Sequence, residues 1–206
     1  MRSHSLLAAL ALVLAPRAVT AQGPWGNVQA WTGSITIEAT DSGAALGGYW
    51  KLAYKATGPV TLADNMMPEG SHMLWPMAGA EDLSDPKKLE AMQKPWLARV
   101  TGRYEARGVD ETGHAYSQSC VADTTVATPA GLTIDPSNPT YVFQITPPRV
   151  KFACSGPPGT PTPVLNLPGS VSLTGPRGDP GPVRGTQRFT TTRMLTNVSF
   201  QLEPKR

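Results

Sequence analysis

A chain of 206 residues with 18 Lys and Arg against 15 Asp and Glu is long enough to bury a core without staples, and its charge is too nearly balanced to argue for a nucleic-acid partner. Its 21 Pro and 20 Gly, set among many Thr, Val and Ser, leave little room for long helices and suit short strands joined by turns.

The first 21 residues read as a secretory signal peptide: a basic start at Met1 to Ser5, an apolar run from Leu6 to Ala15, and a small-residue cleavage signal at Val19-Thr-Ala21. That run is too short for a transmembrane helix, and no later segment approaches the roughly 20 apolar residues one needs. Removing Arg2 and Arg17 with the signal lowers the formal charge from +3 to +1. No cysteine follows Ala21, so a lipid anchor is not expected there. Residues 22–206 are then expected to form a single domain.

Strands follow in order. Trp31, Gly33, Ile35, Ile37 and Ala39 alternate with Thr32, Ser34, Thr36 and Glu38, the period-two pattern of a half-buried strand. Asp41-Ser-Gly43 and Gly47-Gly48 read as a loose turn, and residues 49–57 alternate Trp50, Leu52 and Tyr54 with Lys51, Ala53 and Lys55. These two strands form an expected hairpin. From residue 64 to 95 the pattern breaks into an irregular insertion, with one short helix expected at Lys87 to Gln93 between Pro86 and Pro95. Strands resume at Trp96 to Arg107, Ala115 to Val126, Thr140 to Thr146 and Val150 to Cys154. A Pro/Gly-rich connection covers residues 155–169. Beyond it, strands are expected at Ser170 to Thr174, Gln187 to Arg193 and Thr196 to Glu203. The implied class is all-β, a single-domain antiparallel β-sandwich or irregular barrel. Cys120 and Cys154, the only two cysteines, are expected to pair in an oxidising compartment.

Candidate sites concentrate in the insertion. Met73, Trp75 and Met77, with Trp96 just beyond, are large apolar groups of the kind that make adaptable contact surfaces. The same stretch offers Met66, Met67, His72, Met73 and Met77 as soft donors for copper. Catalysis has less to build on. No nucleophile elbow, His-Glu-x-x-His or phosphate loop is present, and the carboxylate pairs Glu81 with Asp82 and Asp110 with Glu111 sit in loop-like surroundings. Arg177-Gly-Asp179 reads as a turn, and Asn197-Val-Ser199 matches a glycosylation sequon within a strand. From Val142 to Arg206 the basic residues outnumber Asp179 and Glu203, a face able to attract anionic glycans or surface polymers. Aromatics do not interleave with those charges as nucleic-acid grooves require.

The sequence therefore leads to a secreted or periplasmic, non-catalytic binding protein with an unidentified extracellular or periplasmic partner. Periplasmic copper binding and a carboxylate-dependent extracellular hydrolase are the alternatives.

Overall fold

The computed structural model describes residues 30–66, 72–75, 96–134, 140–157, 160, 162–176 and 182–205. The signal segment, the expected helix at 87–93, Met67, Met77, Glu81, Asp82 and Arg177-Gly-Asp179 lie outside them. Eleven strands make up the described chain: β1 (Ala30–Ala45), β2 (Gly48–Met66), β3 (His72–Trp75), β4 (Trp96–Val109), β5 (Ala115–Thr128), β6 (Ala130–Ile134), β7 (Thr140–Ile145), β8 (Ala153–Ser155), β9 (Val171–Pro176), β10 (Val183–Thr191) and β11 (Met194–Lys205). Every pairing is antiparallel. No helix occurs among the described residues, and none there is long and apolar enough to cross a membrane.

The first hairpin is longer and tighter than its composition implies. Asp41-Ser-Gly43, read as a turn, continues β1, and the reversal is confined to Leu46-Gly47 between Ala45 and Gly48. Gly47 holds φ at 67°, a left-handed conformation that glycine adopts without steric cost. Alternation outweighs turn chemistry here because Ile35, Ile37 and Ala39 are fully buried, which fixes the register of the whole strand.

β2 is the branch point. One edge pairs along its length with β1. On the other edge Tyr49 to Thr57 pair with β4, whereas Ala63 to Met66 pair with β3. At the fork a Cβ on Gly58 would stand 2.6 Å from the Leu97 carbonyl, so the absence of a side chain lets the start of β4 approach. One arm runs β2-β4-β5-β8; the other runs β2-β3-β6-β7-β9. Strands β10 and β11 extend the sheet on the far side of β1.

The longer arm curls until β9 lies against β10. Tyr141 of β7 donates its hydroxyl to the Arg184 carbonyl of β10 at 2.8 Å, and Phe143 stacks on Phe200 of β11 with centroids 4.1 Å apart. Inside, Trp31, Ile35, Leu62, Leu132, Ile134 and Leu202 join one continuous buried cluster. The segment after β7 crosses the shorter arm, burying Pro147, Pro148 and Leu167 and packing Phe152 and Val150 against the core.

Two features depart from the sequence reading. β3 and β6 are regular strands, although β3 falls in the expected irregular insertion and Pro129 and Gly131 obscure β6. The strand expected from Val150 begins only at Ala153 and is three residues long, because Pro147 and Pro148 lack the N–H groups that would extend its ladder. The cysteine expectation holds: Cys120 and Cys154 are bonded, directly opposed on β5 and β8 with Cα atoms 4.0 Å apart.

Candidate cleft on the polar sheet face

Strand alternation gives β1, β2, β4 and β11 a solvent face, and register assembles that face into rows. One row runs Leu195, Thr40, Ala53, Arg103; the next runs Ser42, Lys51, Glu105. Ala53 leaves the centre low, and larger residues surround it. The result is a cleft of about 540 Å³ lined by Thr40, Ser42, Lys51, Arg103, Glu105 and Arg193, with Asp41 at its edge. A second concavity of about 410 Å³ lies on the polar side of β1, β10 and β11, lined by Ser34, Thr36, Arg184, Thr186, Ser199 and Gln201.

Arg193 arrives from the turn between β10 and β11. Its neighbour Thr192 holds φ at 57°, a left-handed conformation that costs a β-branched residue steric strain. Strain of this kind is retained where the surroundings demand a particular geometry. Here it sets the basic side chain beside the cleft.

The charges are unevenly satisfied. Glu38 accepts from Lys55 at 2.8 Å, Asp123 from Arg99 at 3.4 Å, and Glu105 from Arg103 at 3.0 Å. Asp41, buried at the cleft edge, accepts from the backbone N–H of Ser42 at 2.8 Å. Lys51, Arg107 and Arg193, like Arg149, Lys151, Arg184, Arg188 and Lys205, have no carboxylate partner among the described residues, although Lys51 stands over the Tyr49 ring at 5.2 Å. Two of these unpaired cations, Lys51 and Arg193, line the cleft, which leaves it an excess of positive charge in a concave, solvent-open setting. Such a site attracts anions. Among the described residues its lining holds no imidazole or thiol, and both of its carboxylates accept hydrogen bonds or ion pairs, Asp41 from Ser42 and Glu105 from Arg103.

The sequence candidates fall elsewhere. Trp96 is only 1 % exposed, and its indole belongs to the core. Met66 and His72 are register partners on β2 and β3, while Met73 pairs with Asn65 and with Thr133 and Trp75 pairs with Ala63. Met67 and Met77 lie outside the described residues. No group of three or more His, Cys, Asp or Glu able to hold a metal occurs among the described residues. Asp110 caps the β4–β5 turn: its carboxylate accepts from the Thr112 hydroxyl at 2.7 Å and from the Thr112 and His114 N–H groups at 2.9 Å each. Those bonds, the Thr112 hydroxyl foremost, hold its pKa below the usual carboxylate value, the opposite of what a general acid needs.

Lys51, Arg103 and Arg193 were missed because each reads as an ordinary solvated position. The available signal was the alternation of Lys51, Ala53 and Lys55 beside that of Arg99, Arg103 and Arg107, which becomes a site only once the register is known. Compared with protein families, characterised proteins and solved structures, the chain matches none.

Proposed function

We propose that this is an exported, non-catalytic binding protein that takes an anionic ligand of the cell exterior in the cleft between Lys51, Arg103 and Arg193. Residues 1–21 are the export signal, and residues 22–206 form one domain, an irregular barrel whose β4-β5-β8 arm stands out as a wing. The return of β9 onto β10 supports that shape. The observation that carries the function is the pair of uncompensated cations facing one concavity.

The test is retention of the secreted chain on immobilised heparin and on immobilised alginate, a sulfated and a carboxylated polysaccharide. Elution by salt is expected, because exposed charges are screened within about 8 to 10 Å at physiological ionic strength. The Lys51→Ala/Arg103→Ala/Arg193→Ala variant should flow through both columns. Unchanged retention of that variant at native stability refutes the proposal.

One observation favours a second reading. The register pairing of Met66 with His72 brings a thioether residue opposite an imidazole residue, in keeping with Cu(I) binding. Stoichiometric Cu(I) uptake that is lost in Met66→Ala/His72→Ala supports it, and absence of uptake ends it.

A further inference from the structure

The opposite side of the same strands carries a different surface. Trp50 of β2, Tyr104 of β4, and Tyr116 and Gln118 of β5 all alternate away from the basic face. Register sets small residues among them: Ala106 lies between Trp50 and Gln118, and Gly108 lies opposite Tyr116. The Trp50 indole rests on β1, where a Cβ on Gly43 would be 2.6 Å from Nε1. The Tyr116 ring rests on β4, where a Cβ on Gly108 would be 3.0 Å from its hydroxyl. Glycine beneath each ring lets it lie low along the sheet. Trp50 and Tyr104 are 6.5 Å apart with a 31° tilt between their planes. The rings make a shelf, and Trp50 and Tyr116 remain half-exposed on it.

The polar atoms on this shelf are unmatched. Tyr54 and Tyr141, the core tyrosines, each donate to a backbone carbonyl. Tyr104 and Tyr116 make no side-chain hydrogen bond among the described residues. Gln118 is only 5 % exposed, and its Oε1 has no partner. A buried amide oxygen without a donor is costly, and in native proteins such a group calls for a ligand, ion or water. Around the rings β2, β4 and β5 contribute only the uncharged Leu52, Ala106, Gly108 and Cys120, and β1 contributes the buried Asp41, the register partner of Leu52.

We propose that this shelf binds a neutral saccharide. The flat apolar face of a pyranose matches a low aromatic surface, whereas a quaternary ammonium needs ring faces that converge around it. Sugar hydroxyls both donate and accept, so they complement two phenols and an unpaired amide oxygen. With no cation among the described residues on this side and Asp41 beside Leu52, a polyanion is disfavoured here, which selects a neutral sugar over the polyanion assigned to the basic face. The two sites lie back to back on the same strands and are independent.

The experiment uses the full secreted chain on a printed array of neutral and acidic glycans, followed by titration of the strongest neutral ligand against tryptophan fluorescence. Binding of at least one neutral glycan is expected, weakened tenfold or more by Trp50→Ala and several-fold by Tyr116→Phe and Gln118→Leu. Lys51→Ala/Arg193→Ala should leave it unchanged while reducing retention on heparin. Tyr116→Phe keeps the ring and serves where Trp50→Ala does not fold. No neutral glycan bound, or binding insensitive to both Trp50→Ala and Tyr116→Phe at native stability, overturns the proposal. Neutral-glycan binding that follows Lys51 and Arg193 instead moves the sugar to the polar face, which overturns this inference and leaves the anionic cleft standing.

Discussion

Tyr54, in the middle of β2, donates its hydroxyl to the Pro148 carbonyl at 2.6 Å, joining points 94 residues apart. Both groups are buried, so this bond fastens the segment after β7 onto the shorter arm. Replacing Tyr54 with Phe leaves the carbonyl desolvated and unpaired, and should cost about 1–3 kcal/mol. Urea denaturation measures the loss. Limited proteolysis within residues 146–170 should quicken more than cleavage elsewhere.

Burial pushes the Tyr54 phenol well above its ordinary value; burial also raises Tyr141, and it raises Tyr104 with a further push from the neighbouring Tyr116. The unfolded chain ionises its tyrosines near pH 10 while these three stay protonated in the fold. Their contribution is complete below pH 10 and is lost as pH rises through the folded values. The melting temperature should stay level from pH 7 to 9 and fall above 10. Tyr54→Phe should flatten the fall.

Acid acts through Asp110 with the opposite sign. Its pKa is lowered from 3.8, chiefly by the Thr112 hydroxyl and the His114 N–H, so its contribution is present above pH 4 and disappears as pH drops through the lower folded value. Asp110→Asn should remove that dependence and speed amide exchange at Thr112 and His114, as NMR would detect.

The disulfide closes a sequence separation of 34 residues, worth roughly 3–4 kcal/mol in the chain-entropy account. Cys120 is fully buried and Cys154 is exposed. Reductant should lower the urea midpoint by the corresponding amount and release β8, which only three residue pairs hold to β5. The Cys120→Ala/Cys154→Ala variant should show the same loss and no response to reductant.

Thr192→Gly removes the strain at φ 57° and should stabilise by up to about 1 kcal/mol. It also loosens the turn that carries Arg193. Higher melting temperature with weaker heparin retention is the expected pair of results; lower stability would show that the turn is not strained.

The strands legible in the sequence are those with one wet face and one dry face. Ile35 and Ile37 against Thr36 and Glu38, or Val100 and Tyr104 against Thr101 and Arg103, announce both strand and orientation. β3 and β6 were hidden because four or five residues carry too little periodicity to outweigh neighbouring Pro and Gly. Neither candidate site was legible for a different reason. Trp50 and Tyr104 alternate like core residues, and Lys51 and Arg103 alternate like surface residues. Cross-strand register alone reveals that Ala53 lies low between cations and that Gly43 and Gly108 let rings lie flat.

The partnership of β1 with β11 has a kinetic side. Thr40 pairs with Leu195 across roughly 150 intervening residues. Hairpins such as β1–β2 and β4–β5 close locally, on the order of microseconds, but this seam must wait until the last strand is available. Until then the edge of β1 is an open template for another chain. Refolding should be slow for the protein's size, with a yield that falls as concentration rises. A holding chaperone that shields β1 should restore it.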